Sequence, residues 1–112
     1  MNTASLLLKA QSFSDQAKAE RFETLQNKLY MQKTQCIIEA CKLAKNERIF
    51  VAYDTIEECI YFEMPFGQCS FHFFYEDWLP DNVVVLNGYT WNGKDNTREL
   101  LMKTTLCVYL SV

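Results

Sequence analysis

From Asp15 to about Asn46 the chain has neither Gly nor Pro and is rich in Ala, Glu, Lys, Gln and Leu. These side chains lose little freedom in a helix. Apolar residues recur at Phe22, Leu25, Leu29, Cys36, Ile37, Ala40, Leu43 and Ala44. The steps are mostly three, four or seven, which gathers them on one helical face. Ser12 to Ser14 offers an N-cap, with Asp15 placed for the first-turn dipole. Upstream, Thr3 or Ser5 is expected to cap a short turn through Leu8. The pattern weakens from Met31 to Gln35, where a bend or a break into two helices is expected, and Asn46 reads as the stop.

The pattern then shortens to period two. Arg48 to Tyr53 is rich in β-branched and aromatic residues and predicts a first strand. Asp54-Thr55-Ile56-Glu57 reads as a turn, Glu58 to Met64 as a second strand, Pro65-Phe66-Gly67 as a turn, and Gln68 to Tyr75 as a third strand. Consecutive strands with short turns predict an antiparallel meander. Alternation places Cys59, Tyr61, Cys69, Phe71, Phe73 and Tyr75 on one face, and Ile60, Phe62, Met64, Ser70, His72 and Phe74 on the other. Both expected faces are apolar, so each needs a cover or a partner. Glu76 to Asn82 reads as a loop and Val83 to Leu86 as a fourth strand. Asn87-Gly88 and Asn92-Gly93 are turn dipeptides. Asn96-Thr97-Arg98-Glu99 fits a capping box that opens a C-terminal helix from about Thr97. A strand over residues 104–112 is the competing reading. The predicted fold is therefore a single α+β domain over residues 1–112: a long N-terminal helix on a three- to four-stranded antiparallel sheet, closed by a C-terminal helix.

Composition fits that picture. With 112 residues, 49% hydrophobic and 22% charged, the chain has the make-up of one globular domain. The formal net charge is only −3, but it is unevenly distributed. Residues 1–48 carry eight Lys/Arg against five Asp/Glu. Residues 49–93 carry no Lys or Arg and seven acids: Asp54, Glu57, Glu58, Glu63, Glu76, Asp77 and Asp81. The same block holds 12 of the 16 aromatic residues. A surface of this sign repels phosphate, so direct nucleic-acid binding is not expected. It attracts basic surfaces, including those that normally hold nucleic acid. No apolar run approaches the ~18 residues of a membrane span, and the N-terminus lacks a signal-peptide core. A cytoplasmic protein is therefore expected.

Gly67-Gln68-Cys69-Ser70-Phe71-His72, followed by Trp91-Asn92-Gly93 and the helix start Asn96-Thr97-Arg98-Glu99, resembles a pattern in small uncharacterised phage and prophage proteins. Those carry a Gly-Gln-x-Ser-aromatic-His strand and a later Trp-Asp-Gly turn; here Asn92 stands in place of the Asp. The resemblance spans residues 60–102 and implies a mobile-element origin. It brings no catalytic residues with it.

Candidate chemistry is sparse. The five cysteines, Cys36, Cys41, Cys59, Cys69 and Cys107, are odd in number and form no Cys-x-x-Cys pair, which favours reduced core thiols over a disulfide framework. Cys69 and His72 stand three apart on a strand and point to opposite faces. Ser70 and His72 share a face, but i and i+2 lie roughly 6.5–7 Å apart along a strand, beyond hydrogen-bond reach. The acids around Trp78 lack the alternating pattern and internal Gly of a calcium loop. No metal or cofactor is expected. The basic residues of the helix, including Lys18, Arg21, Lys28 and Lys33, are interleaved with Glu20, Glu23 and Glu39 and read as a solvated face.

Tyr75, Glu76, Asp77, Trp78, Asp81, Tyr89 and Trp91 remain as the candidate partner-binding set. Aromatic anchors ringed by carboxylates suit a basic protein partner. The expected function is a non-enzymatic interaction protein of phage or mobile-element type. It would occupy a basic surface on a host protein, such as a nucleic-acid-handling defence enzyme of the CRISPR kind. The alternatives are a small hydrolase-like or ligand-binding domain using the Ser70/His72 face, and a homodimer pairing through the second apolar face.

Overall fold

The computed structural model describes residues 1–86. The expected C-terminal helix, the residue 104–112 alternative, Tyr89, Trp91 and Cys107 lie outside the described residues. Two helices, α1 (Thr3–Ala19) and α2 (Glu23–Glu47), precede four strands: β1 (Phe50–Asp54), β2 (Cys59–Met64), β3 (Gly67–His72) and β4 (Val84–Leu86). A 3-10 turn at Glu76–Trp78 interrupts the passage from β3 to β4.

The helical region is two helices, and the break falls earlier than expected. It lies at residues 20–22, while Met31 to Gln35 is continuous α2. No breaker residue causes it; side chains do. The Glu20 carboxylate accepts from the Arg21 and Phe22 amides at 3.0 and 3.2 Å, and the Gln26 side chain donates to the Ala17 carbonyl at 2.8 Å. These bonds satisfy the backbone groups that a break exposes. Ser12 and Ser14 are helix interior, and the start belongs to Asn2, in a capping box with Ser5. Buried residues Thr3, Leu6, Leu7, Ala10, Ser14 and Ala17 form the inward stripe of α1. The first turn of α1 contains no acid. Glu47 from the end of α2 supplies one, accepting from the Thr3 amide at 2.9 Å and from the Thr3 hydroxyl. That contact ties the start of α1 to the end of α2 and sets a carboxylate on the α1 dipole. The stop of α2 is Arg48 in a left-handed conformation (φ 59°), not Asn46, with the Ile49 amide donating to the Ala44 carbonyl at 2.8 Å.

The sheet runs β3-β2-β1-β4. The first three strands form the expected antiparallel meander, but β4 pairs with β1 in parallel. The sheet is therefore mixed. The reason is directional: β3 runs parallel to β1, and residues 73–83 carry the chain back across the sheet before β4 begins. A hairpin would have reversed it; a crossover does not.

The strands alternate as the sequence predicts, but their faces combine differently. Met64 pairs with Gly67 and Ile60 with Phe71, so even-numbered residues of β2 share a face with odd-numbered residues of β3. Ile60, Phe62, Met64, Cys69, Phe71, Val51 and Tyr53 consequently join Phe73, Ile37, Ala40, Cys41, Leu6 and Leu7 in one core beneath the helices. The opposite face carries Phe50, Ala52 and Asp54 with Cys59, Tyr61, Ser70 and His72; on it Phe50, Ala52 and Leu86 form a smaller cluster. A register offset of one residue moves every side chain to the other face. Ile60, Phe62 and Met64, expected on the face offered for homodimer pairing, are instead buried under the helices.

Candidate interaction site

The chain leaves β3 after His72 and is pinned at once. Phe73 is 2% exposed. Its carbonyl accepts from the Tyr53 hydroxyl at 2.7 Å, and its amide donates to the Glu58 carbonyl at 2.9 Å. The Tyr53 and Phe73 rings meet edge to face at 6.0 Å. Strand alternation then turns the next side chain outward, and Phe74 is 65% exposed. The 3-10 turn follows, closed by the Trp78 amide on the Tyr75 carbonyl (2.9 Å) and the Leu79 amide on the Glu76 carbonyl (3.1 Å). It stacks the Tyr75 and Trp78 rings at 4.3 Å and 16°. Leu79 packs against the core, the Val83 amide donates to the Pro80 carbonyl at 3.1 Å, and the Asn82 amide group donates to the Cys41 carbonyl at 3.0 Å.

Both ends of this connection are thus anchored, and its outer side carries the expected residues. Tyr75 is 37% and Trp78 46% exposed; Glu76, Asp77 and Asp81 are exposed. Tyr89 and Trp91 lie outside the described residues. Among the described residues the ion pair is Lys42–Glu39, at 3.3 Å on α2. Glu76, Asp77 and Asp81 have no described cation within 4 Å.

The acidic block does not act as one surface. Asp54 is fully buried and builds the β1–β2 turn: its Oδ1 accepts from the Ile56 and Glu57 amides at 2.9 and 3.3 Å. Glu57 accepts from the Tyr61 hydroxyl at 2.7 Å, and Glu63 from the Gln68 side chain at 2.7 Å. Glu58 was outside the expected set yet belongs beside it. Burial raises the Tyr53 pKa first, and the charges of Glu58 and Glu76 raise it further. The Phe73 amide, donating to the Glu58 carbonyl, places the β1–β2 turn beside the chain that leads into the 3-10 turn. Only the strand pairing reveals this proximity.

The same pairing makes a different cysteine–histidine neighbour from the one considered in the sequence. Cys59 pairs across the strands with His72, with Sγ 3.5 Å from Nδ1. Burial and the Glu57 charge push the Cys59 thiol up, against a hydrogen bond from Tyr61 that lowers it. A nucleophilic cysteine needs the opposite shift. His72 stacks on Phe74 at 6.3 Å. Among the described residues no three His, Cys, Asp or Glu side chains gather as a metal would require, and no helix is long and apolar enough to cross a membrane.

These features define a small α+β protein with two helices on one face of a mixed four-stranded sheet and an acidic, aromatic connection at its end. No family model matches the sequence, and searches of the curated proteins and of the solved structures return no match.

Proposed function

We propose that the protein is a non-enzymatic interaction module that meets a basic protein surface with the connection between β3 and β4. One observation carries this reading: Glu76, Asp77 and Asp81 stand exposed, with no described cation near them, around a stacked Tyr75–Trp78 pair. The stack holds two large rings in place before binding, which lowers the ordering cost of an interface. The carboxylates speed encounter with a positive partner and select against acidic ones. The partner class that fits is a nucleic-acid-handling host protein, whose basic surface is built to hold phosphates. On the resemblance drawn from the sequence, the setting is phage-type inhibition of a defence enzyme.

Affinity capture from host extract, followed by mass spectrometry, tests this with the wild-type chain and the E76K/D77K/D81K variant. The wild type should retain a basic protein in low salt and lose it as salt rises, because screening weakens exposed charge pairs. The charge-reversed variant, folded by circular dichroism, should not retain it. Equal capture by both chains removes the electrostatic argument.

A further inference from the structure

A groove of about 500 Å³ opens where the end of α1, the first half of α2 and the chain leaving β3 meet. This lies within the range of small-molecule sites, roughly 300–1,000 Å³. Its charge is opposite to that of the neighbouring connection. Lys18 of α1 and Lys33 of α2 line it, and no Asp or Glu does. Neither lysine has a described carboxylate within 4 Å. Tyr30, Tyr75 and the chain at Phe73 and Phe74 border it, and Ser14 and Thr34 lie along it. Lys33 Nζ sits 5.9 Å from the Tyr30 and Phe71 ring centroids, in range for a cation–π contact. It is half-buried among rings with no described carboxylate beside it.

We propose that this groove binds a small anionic ligand with a planar ring, its anion held by Lys18 and Lys33 and its ring against Tyr30. Two cations facing one space repel each other, and an anion between them reverses that cost. Burial first, and the Lys18 charge second, push the Lys33 pKa down. The ring specificity follows from the half-exposed Tyr30, which offers stacking surface beside Lys33. The volume suits a molecule of one or two rings better than a polymer. This site adjoins the proposed partner surface, with Tyr75 bordering both, and differs from it in the sign of its charge.

The test is a titration of the full ¹⁵N-labelled chain, followed by amide chemical shifts, with phenyl phosphate, benzoate, phenol and inorganic phosphate. Saturation by phenyl phosphate or benzoate, with shifts centred on Tyr30, Lys33 and Phe74, supports the site, and the ratio of the two identifies the anion. Phenol and inorganic phosphate should each bind at least about tenfold more weakly, since each lacks half of the recognised chemistry. Lys33→Gln and Lys18→Gln should each weaken binding by about tenfold or more, and Lys33→Arg should retain it. The variant spectra report folding directly, and exposed Lys18 carries the test alone if Lys33→Gln unfolds. E76K/D77K/D81K should bind no more weakly than the wild type, because it adds positive charge beside the groove, whereas it should lose the protein partner. The proposal is overturned if neither ring anion saturates by about 10 mM, if phenol binds as well as phenyl phosphate, or if the glutamine variants bind unchanged.

Discussion

Tyr53→Phe tests how the proposed interaction surface is held. The Tyr53 hydroxyl donates to the Phe73 carbonyl at 2.7 Å, from a residue 20 positions earlier. The bond ties β1, in the middle of the sheet, to the first residue of the exposed connection. Phenylalanine keeps the ring and its edge-to-face contact with Phe73 and removes only the oxygen. The loss is the net value of one hydrogen bond, about 1 kcal/mol, plus a penalty for a carbonyl left unpaired on a residue that is 2% exposed. A total of about 2 kcal/mol is expected. Tyr53→Ala, which also empties the ring's space, should cost about 3–5 kcal/mol. With a urea dependence of about 1–3 kcal/mol/M for a small domain, Tyr53→Phe should lower the unfolding midpoint by about 1 M. Hydrogen exchange should locate the effect, with the Phe73, Trp78 and Leu79 amides exchanging faster while those of α1 change little. A midpoint within about 0.2 M of wild type, with unchanged exchange at Trp78, would show that the hydroxyl does not hold the connection.

Glu47→Ala should cost about 1–3 kcal/mol in urea unfolding, because the Thr3 amide and hydroxyl lose their acceptor at a fully buried residue; Glu47→Gln should recover part of it. Gly67→Ala should destabilise by about 1–2 kcal/mol although the space beside Gly67 is open, because its φ of 139° is one that side-chain-bearing residues rarely adopt. Stability should also fall in alkali. Burial pushes the Cys41 thiol from 9.0 up to about 12, so the folded chain holds this proton more tightly than the unfolded chain. The stabilisation is complete below the unfolded value and is lost as pH rises from 9 towards 12, at about 1.4 kcal/mol per pH unit. Tyr53, also raised by burial, adds a loss that begins above its ordinary value of 10.0. Urea midpoints measured across this range should fall less steeply in Cys41→Ala than in wild type.

Much of the local structure was legible in the chain. The Gly- and Pro-free stretch is helical, the three aromatic strands form a meander, and the loop at Glu76 to Asn82 is an exposed connection. The misreadings share one origin. The break after Ala19 depends on Gln26 reaching back to Ala17, which no local propensity encodes. The face assignments failed because Pro65 and Phe66 set the pairing of Met64 with Gly67, and a turn's register is not carried by the alternation on either side of it. The Cys59–His72 pair follows from that register and is equally invisible in the alternation. The groove is hidden too, because Lys18 and Lys33 look like ordinary solvated helix positions until α1 folds back along α2 and β3 delivers Phe74 beside them.

Sequence alone determined that residues before Asn46 are helical and that three strands follow, that acids and aromatic residues concentrate between residues 49 and 93, and that Tyr75 to Trp78 and Asp81 fall between strands. These are properties of short windows, governed by periodicity, propensity and charge, and neighbours in the chain suffice to express them. Tertiary structure alone decided that β4 runs parallel to β1, that Asp54 is a buried turn-former, and which carboxylates and lysines share a surface. Those outcomes depend on contacts between residues tens of positions apart. Such contacts form only when burying one apolar face of the sheet beneath two helices repays the entropy of closing the loops between them.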